Sequence, residues 1–225
     1  LIRPAASNVD QALVVFAVAR PAPHFQLLDR FLVMMECQKI PVILCFNKED
    51  IGADEEVERL RAVYERCGYP CAFISVKEQR NIDQIRELLR GKTTVIAGPS
   101  GVGKSSLINL LQPEAKMETG AVSRKIERGR HTTRHAELFP VDQESYIMDT
   151  PGFSSLYLPE MEKEDLKCYF PEFDPYEGQC RFLHCDHIHE PDCAVKEAVE
   201  QGKIHPIRYK DYQDIYQELK DRRRY

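Results

Sequence analysis

The string Gly98-Pro99-Ser100-Gly101-Val102-Gly103-Lys104-Ser105, followed by Ser106, fits the pattern G-x-x-x-x-G-K-[ST] and narrows the folds open to this chain more than any other feature. It follows a short apolar, β-branched run at 93–97 and opens a segment of helical apolar spacing at 103–111. A glycine-rich turn between strand and helix lets backbone N–H groups converge on phosphate oxygens and sets the positive end of a helix beside them. In that setting Lys104 can reach the β- and γ-phosphates, and the Ser105 hydroxyl can bind Mg²⁺. A chance glycine-rich turn would lack the strand before it and the helix after it. The string specifies a nucleotide site but not which nucleotide.

The surrounding chain supplies a sheet for that loop. Unbroken apolar runs at 12–19 and 41–46 read as strands buried on both faces, and 71–75 and 93–97 as two more. Between them, 24–37, 54–67 and 81–90 have helical spacing, with Phe25, Leu28, Leu32 and Met35 on one stripe, Asp54 at a start, and Gly68 and Gly91 at stops. Strand alternating with helix predicts an α/β domain with a mostly parallel sheet and helices on both faces. A polar stretch at 117–134 reads as a loop, and 137–141 with 145–148 as an antiparallel pair. After Phe153 the alternation stops, and Pro and aromatic residues increase. The expected division is therefore 1–155 and 156–225, the second domain small and helical with a charged helix over 205–224.

Asn47-Lys48-Glu49-Asp50 directly follows the second strand. The Asp50 carboxylate can accept from both N1–H and the N2 amino group of guanine, a donor pair adenine lacks. A site built on such bonds rejects the analogue lacking them by as much as ~10⁴-fold. Asn47 would tie this loop to the phosphate loop, and the Lys48 stem would cover a face of the base. Ser75-Val76-Lys77 ends the next strand and resembles the S-A-K-like turn of GTPases, whose backbone N–H meets guanine O6. Asp149-Thr-Pro-Gly152 ends a later strand and resembles the D-x-x-G of GTPases, which implies that Asp149 holds Mg²⁺ through water and that the Gly152 N–H senses the γ-phosphate. Thr132 or Thr133 would complete the Mg²⁺ shell. The two are not separable from sequence, and Thr133 is the working choice beside Ser105 and Asp149. As a bland alternative, both threonines are turn residues.

In an ordinary Ras-like GTPase the phosphate loop comes first and the base-reading motifs last. Here the order is 47, 75, 98, 132, 149, and rotating it restores the usual series. The pattern is a circular permutation, tolerable where the old termini lie close together. It also makes the 149–152 segment run straight into the second domain.

Cys180-x₄-Cys185-x-His187-x₅-Cys193 offers three thiolates and an imidazole, a set suited to one closed structural Zn²⁺ site. His184 and His189 are competing ligands; a disulfide or free thiols are the alternatives. The segment looks poor in large apolar residues, so the metal is expected to stabilise it where burial cannot. Cys37, Cys45, Cys67 and Cys71 sit singly in apolar segments and read as reduced core residues, as expected in the cytoplasm. Of 225 residues, 31 are Lys or Arg and 36 Asp or Glu, a net charge of −5, which argues against a uniformly basic nucleic-acid coat. No run of 18 apolar residues is present, so no membrane association is expected, and no secretory leader is visible ahead of the fold.

The permuted order, the string Gly129-Arg-His-Thr-Thr-Arg134, the turn Asp149-Thr-Pro-Gly-Phe153 and the C-x₄-C-x-H-x₅-C set together resemble the RsgA (YjeQ) family of circularly permuted bacterial GTPases. The resemblance spans essentially the whole chain. It implies GTP and GDP, Mg²⁺ and one Zn²⁺ as ligands, and the small ribosomal subunit with its 16S rRNA as partner. It also implies a monomer that assists late maturation of that subunit with subunit-stimulated hydrolysis. The segment Arg3-Pro…Asn8-Val-Asp-Gln11 resembles the join to that family's N-terminal OB-fold, which these 225 residues do not include. Phe153 stands where a water-orienting Gln is found in Ras-like proteins. His131 is the candidate to orient the water, with Lys104 and Thr133 as the other catalytic candidates. An ATPase or small-molecule kinase is a competing reading that Asn47–Asp50 opposes. A nucleotide-regulated RNA-binding module with incidental hydrolysis is another, motivated by the second domain and the basic tail 220–224.

Overall fold

The computed structural model describes residues 8–115, 137–149 and 158–222. His131, Thr132, Thr133, Gly152, Phe153 and the expected loop 117–134 lie outside the described residues. Six strands and six α-helices are formed among those described: β1 Gln11–Ala17, α1 Phe25–Cys37, β2 Val42–Asn47, α2 Asp54–Tyr64, β3 Cys71–Phe73, α3 Ile82–Leu89, β4 Thr93–Ala97, α4 Lys104–Leu111, β5 Glu137–Pro140, β6 Tyr146–Asp149, α5 Ala194–Glu200 and α6 Pro206–Asp221.

The strands make one sheet in the order β3-β2-β1-β4-β6-β5. All pairs are parallel except β5 with β6, which is antiparallel as expected. Every residue of β1 and β2 is buried, as the unbroken apolar runs require. Leu13, Val15, Ile43, Cys45 and Ile96 form one core face, covered by Ile82, Ile85 and Leu89 of α3 and Leu107, Ile108 and Leu111 of α4. Each such Leu or Ile contributes about 1.5–3 kcal/mol through burial. The strand expected over 71–75 stops at Phe73, because Ser75 turns into a bridge with Arg80. The helix expected to 67 gives way after Tyr64 to a 3-10 turn, Glu65–Cys67, which Gly68 closes at φ +85°. His24 caps α1, its Nδ1 accepting from Leu27 N at 3.1 Å.

The chain forms two compact units. One comprises Leu1–Pro23, Ile40–Val57 and Pro70–Ser155; the other comprises His24–Lys39, Glu58–Tyr69 and Leu156–Tyr225. The first holds the sheet, α3 and α4. The second joins α1 and most of α2 to the C-terminal segment. Its C-terminal part is built of 3-10 helices, Lys163–Tyr169 and Pro171–Tyr176, followed by α5 and α6.

The expectation that this part is short of large apolar residues is corrected. Phe170, Phe173, Tyr212, Ile215 and Val195 are completely buried in one cluster with Val33 of α1. Phe173 meets Tyr212 edge-on at 4.9 Å. The tyrosines of α6 pack inward by their rings and bond by their hydroxyls: Tyr209 donates to His187 O at 2.7 Å, Tyr212 to Asp186 O and Tyr216 to Asp186 Oδ2, both at 2.6 Å. The aromatic face is what fixes α6.

Candidate functional site: a guanine-nucleotide cleft and a Cys₃His cluster

The phosphate loop is shaped by contacts that only glycine permits. Gly98 has φ +147°, and a Cβ there would lie 2.0 Å from Val15 O of β1. Gly103 has φ +102°, and its Cβ would meet Asn47 Nδ2 at 2.3 Å. The loop therefore packs directly on the end of β1 and on the base-reading strand. Val102 is buried beneath it, while Ser105 and Ser106 are half-buried in the first turn of α4. Lys104 Nζ donates to the carbonyls of Gly98 and Pro99, both at 2.8 Å. Burial pulls its pKa below the usual lysine value, and the nearby Asp149 carboxylate opposes that pull. Asp149 ends β6 in register with Ile96 of β4, the strand that feeds the loop. Asp149 thus stands at the carboxyl end of β6, beside the strand that leads into the phosphate loop, while Ser105 opens α4 on the far side of that loop.

The base-reading loop is held by side-chain bonds. Asn47 is buried at the end of β2; its Nδ2 donates to Val102 O at 2.9 Å, and its Oδ1 accepts from Val76 N at 3.1 Å. One amide thus joins the 47–50 and 75–77 segments to the glycine-rich loop. Lys48 has φ +65°, and its Nζ donates to Gly101 O at 2.6 Å and to Arg20 O. Asp50 Oδ1 accepts from the Ser75 hydroxyl at 2.7 Å, and Ser75 Oγ accepts from Glu78 N at 3.0 Å. The sequence pointed to the backbone of 75–77; the structure adds the Ser75 side chain as the group that orients Asp50. Lys77 Nζ stands 4.0 Å from Asp50 Oδ2.

Asn47, Lys48, Asp50, Val76 and Lys77 line a cleft of about 390 Å³ that also takes in Arg20, Ile51, Gly103 and Ser106. That volume lies within the range of small-molecule sites. Arg20 and Ile51 were missed from sequence: Arg20 lies 27 residues before Asn47 (47 − 20), in no motif. A second open depression of about 460 Å³, beside the start of α3 near Asp83 and Arg86, contains none of the motif residues.

In the second unit, one ligand atom from each of Cys180, Cys185, His187 and Cys193 lies within 4.8 Å of the others. Cys180 Sγ and Cys193 Sγ are 3.9 Å apart, and His187 Nδ1 is 3.3 Å from Cys193 Sγ and 3.6 Å from Cys180 Sγ. Tetrahedral Zn–S bonds of about 2.3 Å set sulfurs roughly 3.8 Å apart. A disulfide needs about 2.05 Å, and all eight cysteines are free. His187 Nε2 pairs with Glu177 Oε1 at 2.6 Å, which points Nδ1 at the sulfurs. Such an outer carboxylate is the usual partner of a metal-bound imidazole. Glu177 was not foreseen, since nothing in its local sequence marks it. His184 and His189 are exposed and outside the set.

A mostly parallel sheet, a glycine-rich loop between β4 and α4 and the rotated motif order define a circularly permuted P-loop GTPase. Residues 1–159 match the family described as RsgA GTPase. The chain is 56% identical over its whole length to 74% of the "Small ribosomal subunit biogenesis GTPase RsgA" of Agathobacter rectalis, and 48% identical, over 77% of that protein, to the one from Alkaliphilus metalliredigens. Among solved structures, YjeQ from Thermotoga maritima superposes with a TM-score of 0.82 at 38% identity, covering 96% of this chain and 73% of that one. YloQ, described as a circularly permuted GTPase, superposes at 0.78 with 38% identity, covering 97% and 71%. The chain belongs to the RsgA GTPase family. The reaction of that family is GTP hydrolysis, which implies guanine nucleotides and Mg²⁺ as ligands.

Proposed function

We propose that this chain hydrolyses GTP during late maturation of the small ribosomal subunit, and that the subunit and its 16S rRNA stimulate it. The relatives named for small ribosomal subunit biogenesis support the partner. The observation that carries the nucleotide is the Ser75–Asp50 bond of 2.7 Å, which aims a nearly buried carboxylate into the cleft. In this reading Asn47, Lys48, Asp50, Val76 and Lys77 hold the base, and 98–106 hold the phosphates. Lys104 leaves the carbonyls of Gly98 and Pro99 for the β- and γ-phosphates. Ser105, Asp149 and Thr133 are the Mg²⁺ set, with Thr132 the alternative to Thr133. Bound there, Mg²⁺ would neutralise charge on the phosphate oxygens. His131 orients the attacking water, and the Gly152 N–H reads the γ-phosphate. Cys180, Cys185, His187 and Cys193 hold one structural Zn²⁺.

Functionally, the nucleotide segment is 1–155 and the metal-bearing segment 156–225. The protein acts as a cytoplasmic monomer. Phosphate release from GTP and from ATP, with and without purified small subunits, tests the reading. GTP-selective release that rises with subunits is expected. GTP-selective release indifferent to subunits removes the partner from the proposal. Hydrolysis of neither nucleotide leaves only the RNA-binding module.

A further inference from the structure

Two charged side chains outside the Cys₃His set converge on it. Lys167 belongs to the 3-10 helix Lys163–Tyr169, which Leu166 and Phe170, both completely buried, anchor on either side of it. Its Nζ donates to Cys185 O at 3.1 Å and stands 3.5 Å from Glu177 Oε2. Glu177 follows the next 3-10 helix, Pro171–Tyr176, and its other oxygen, Oε1, meets His187 Nε2 at 2.6 Å. One lysine therefore holds the backbone of one candidate ligand and the carboxylate that is bound to another.

A carboxylate only accepts, so the shared hydrogen sits on His187 Nε2 and leaves the lone pair on Nδ1. Nδ1 is the nitrogen that faces Cys193 Sγ at 3.3 Å and Cys180 Sγ at 3.6 Å. Phe173 packs edge-on against the same ring at 5.8 Å. His187 also has φ +58°, a conformation that a residue with a side chain keeps only where its surroundings hold it. Three successive carbonyls do so: Cys185 O accepts from Lys167, Asp186 O from Tyr212 and His187 O from Tyr209. Of these three donors, Lys167 alone is charged, and it alone also holds Glu177. The Glu177 side chain is 39% exposed, so without that cation water competes for the oxygen that His187 needs.

We propose that Lys167 and Glu177 act as one positioning pair for the metal site, setting the His187 ring with Nδ1 toward the three sulfurs. The inference rests on the Zn²⁺ reading above. Three thiolates around a divalent ion leave one negative charge and Glu177 adds another, which Lys167 offsets. Neither residue would touch the metal; both act through His187 and the Cys185 backbone. Outer partners of this kind contribute about 10- to 100-fold to metal affinity.

The test is Zn²⁺ affinity in the full chain, by competition with a colorimetric chelator, for wild type, Lys167→Met, Glu177→Gln and the double variant. Each single variant is expected to bind Zn²⁺ about 10- to 100-fold more weakly. The double variant should be no more than about threefold worse than the weaker single one, because groups acting as a unit are not additive. Losses that multiply in the double variant, or single variants that bind as wild type does, would overturn the pair. The ligand-field bands of bound Co²⁺ should shift in Glu177→Gln, a change that a general loss of stability does not produce; bands identical to wild type would refute positioning. Wild type that takes up no Zn²⁺ would remove the metal reading and the pair with it, whereas full affinity in the double variant would remove the pair alone. If the variants do not fold, the nitrogen-15 shifts of His187 in zinc-loaded wild type decide. Metal on Nδ1 with hydrogen on Nε2 supports the pair; metal on Nε2 refutes it.

Discussion

Asn47 and Val102, 55 residues apart in the chain, are joined by a side-chain amide that donates to a backbone carbonyl at 2.9 Å. The same amide accepts from Val76 N. The end of β2, the 75–77 turn and the glycine-rich loop are therefore positioned by one buried group.

Removing that group should loosen all three. Asn47→Ala leaves Val102 O and Val76 N unpaired, at about 1–3 kcal/mol. GTP and GDP affinity should fall by roughly 10- to 100-fold, measured by titration with a fluorescent guanine nucleotide. Asn47→Asp should be worse, because it sets a carboxylate against the Val102 carbonyl.

In the proposed function, base choice rests on the carboxylate that Ser75 orients. Asp50→Asn replaces an acceptor with a donor opposite the guanine N2 amino group. GTP kcat/KM should drop by roughly 10³- to 10⁴-fold, while xanthosine triphosphate, with an oxygen at that position, should become the better substrate. Unchanged preference for GTP would mean that Asp50 does not read the base.

Gly98 admits no side chain. Gly98→Ala combines an unfavourable φ with a Cβ 2.0 Å from Val15 O. Strain and overpacking together should cost about 2–5 kcal/mol, seen as a lowered thermal midpoint even without nucleotide.

If the proposed Zn²⁺ is bound at the Cys₃His cluster, its removal should weaken the second unit without erasing it. Chelation, or Cys193→Ser, removes the cross-link among four ligands, yet Phe170, Phe173 and Tyr212 remain as a core. A fall in thermal midpoint of roughly 10 °C, about 3 kcal/mol at this chain length, with most helical circular dichroism retained, is expected. Complete loss of helix in α5 and α6 would contradict it.

Acid should attack the loop that carries Cys185 and His187 through Glu190. Burial pushes its carboxyl up, but backbone N–H groups, including those of Asp186, Ile188 and His189, bring it down to about 2. A depressed carboxylate stabilises above the unfolded value near 4.3 and loses that contribution as pH falls toward 2. Glu190→Gln should cost about 1–2 kcal/mol at pH 7 and flatten this acid limb. Equal acid sensitivity in both proteins would remove Glu190 as its source.

Much of this protein is determined locally. Glycines at 98 and 103, the lysine at 104 and the apolar runs before them specify a strand–loop–helix unit through backbone sterics and periodicity, effects confined to a few residues. The rotated motif order likewise needs only the linear chain, and the order β3-β2-β1-β4-β6-β5 realises it. The tertiary structure decided what depends on distant partners. Ser75 became the orienting group of Asp50, Glu177 the partner of His187, and α1 and most of α2 joined the C-terminal segment. Arg208 reached Asp29, 179 residues away (208 − 29), and Glu172, 36 residues away (208 − 172). A charged residue in a polar helix has no local mark of burial. Only the packed fold removes its water and forces it to find partners.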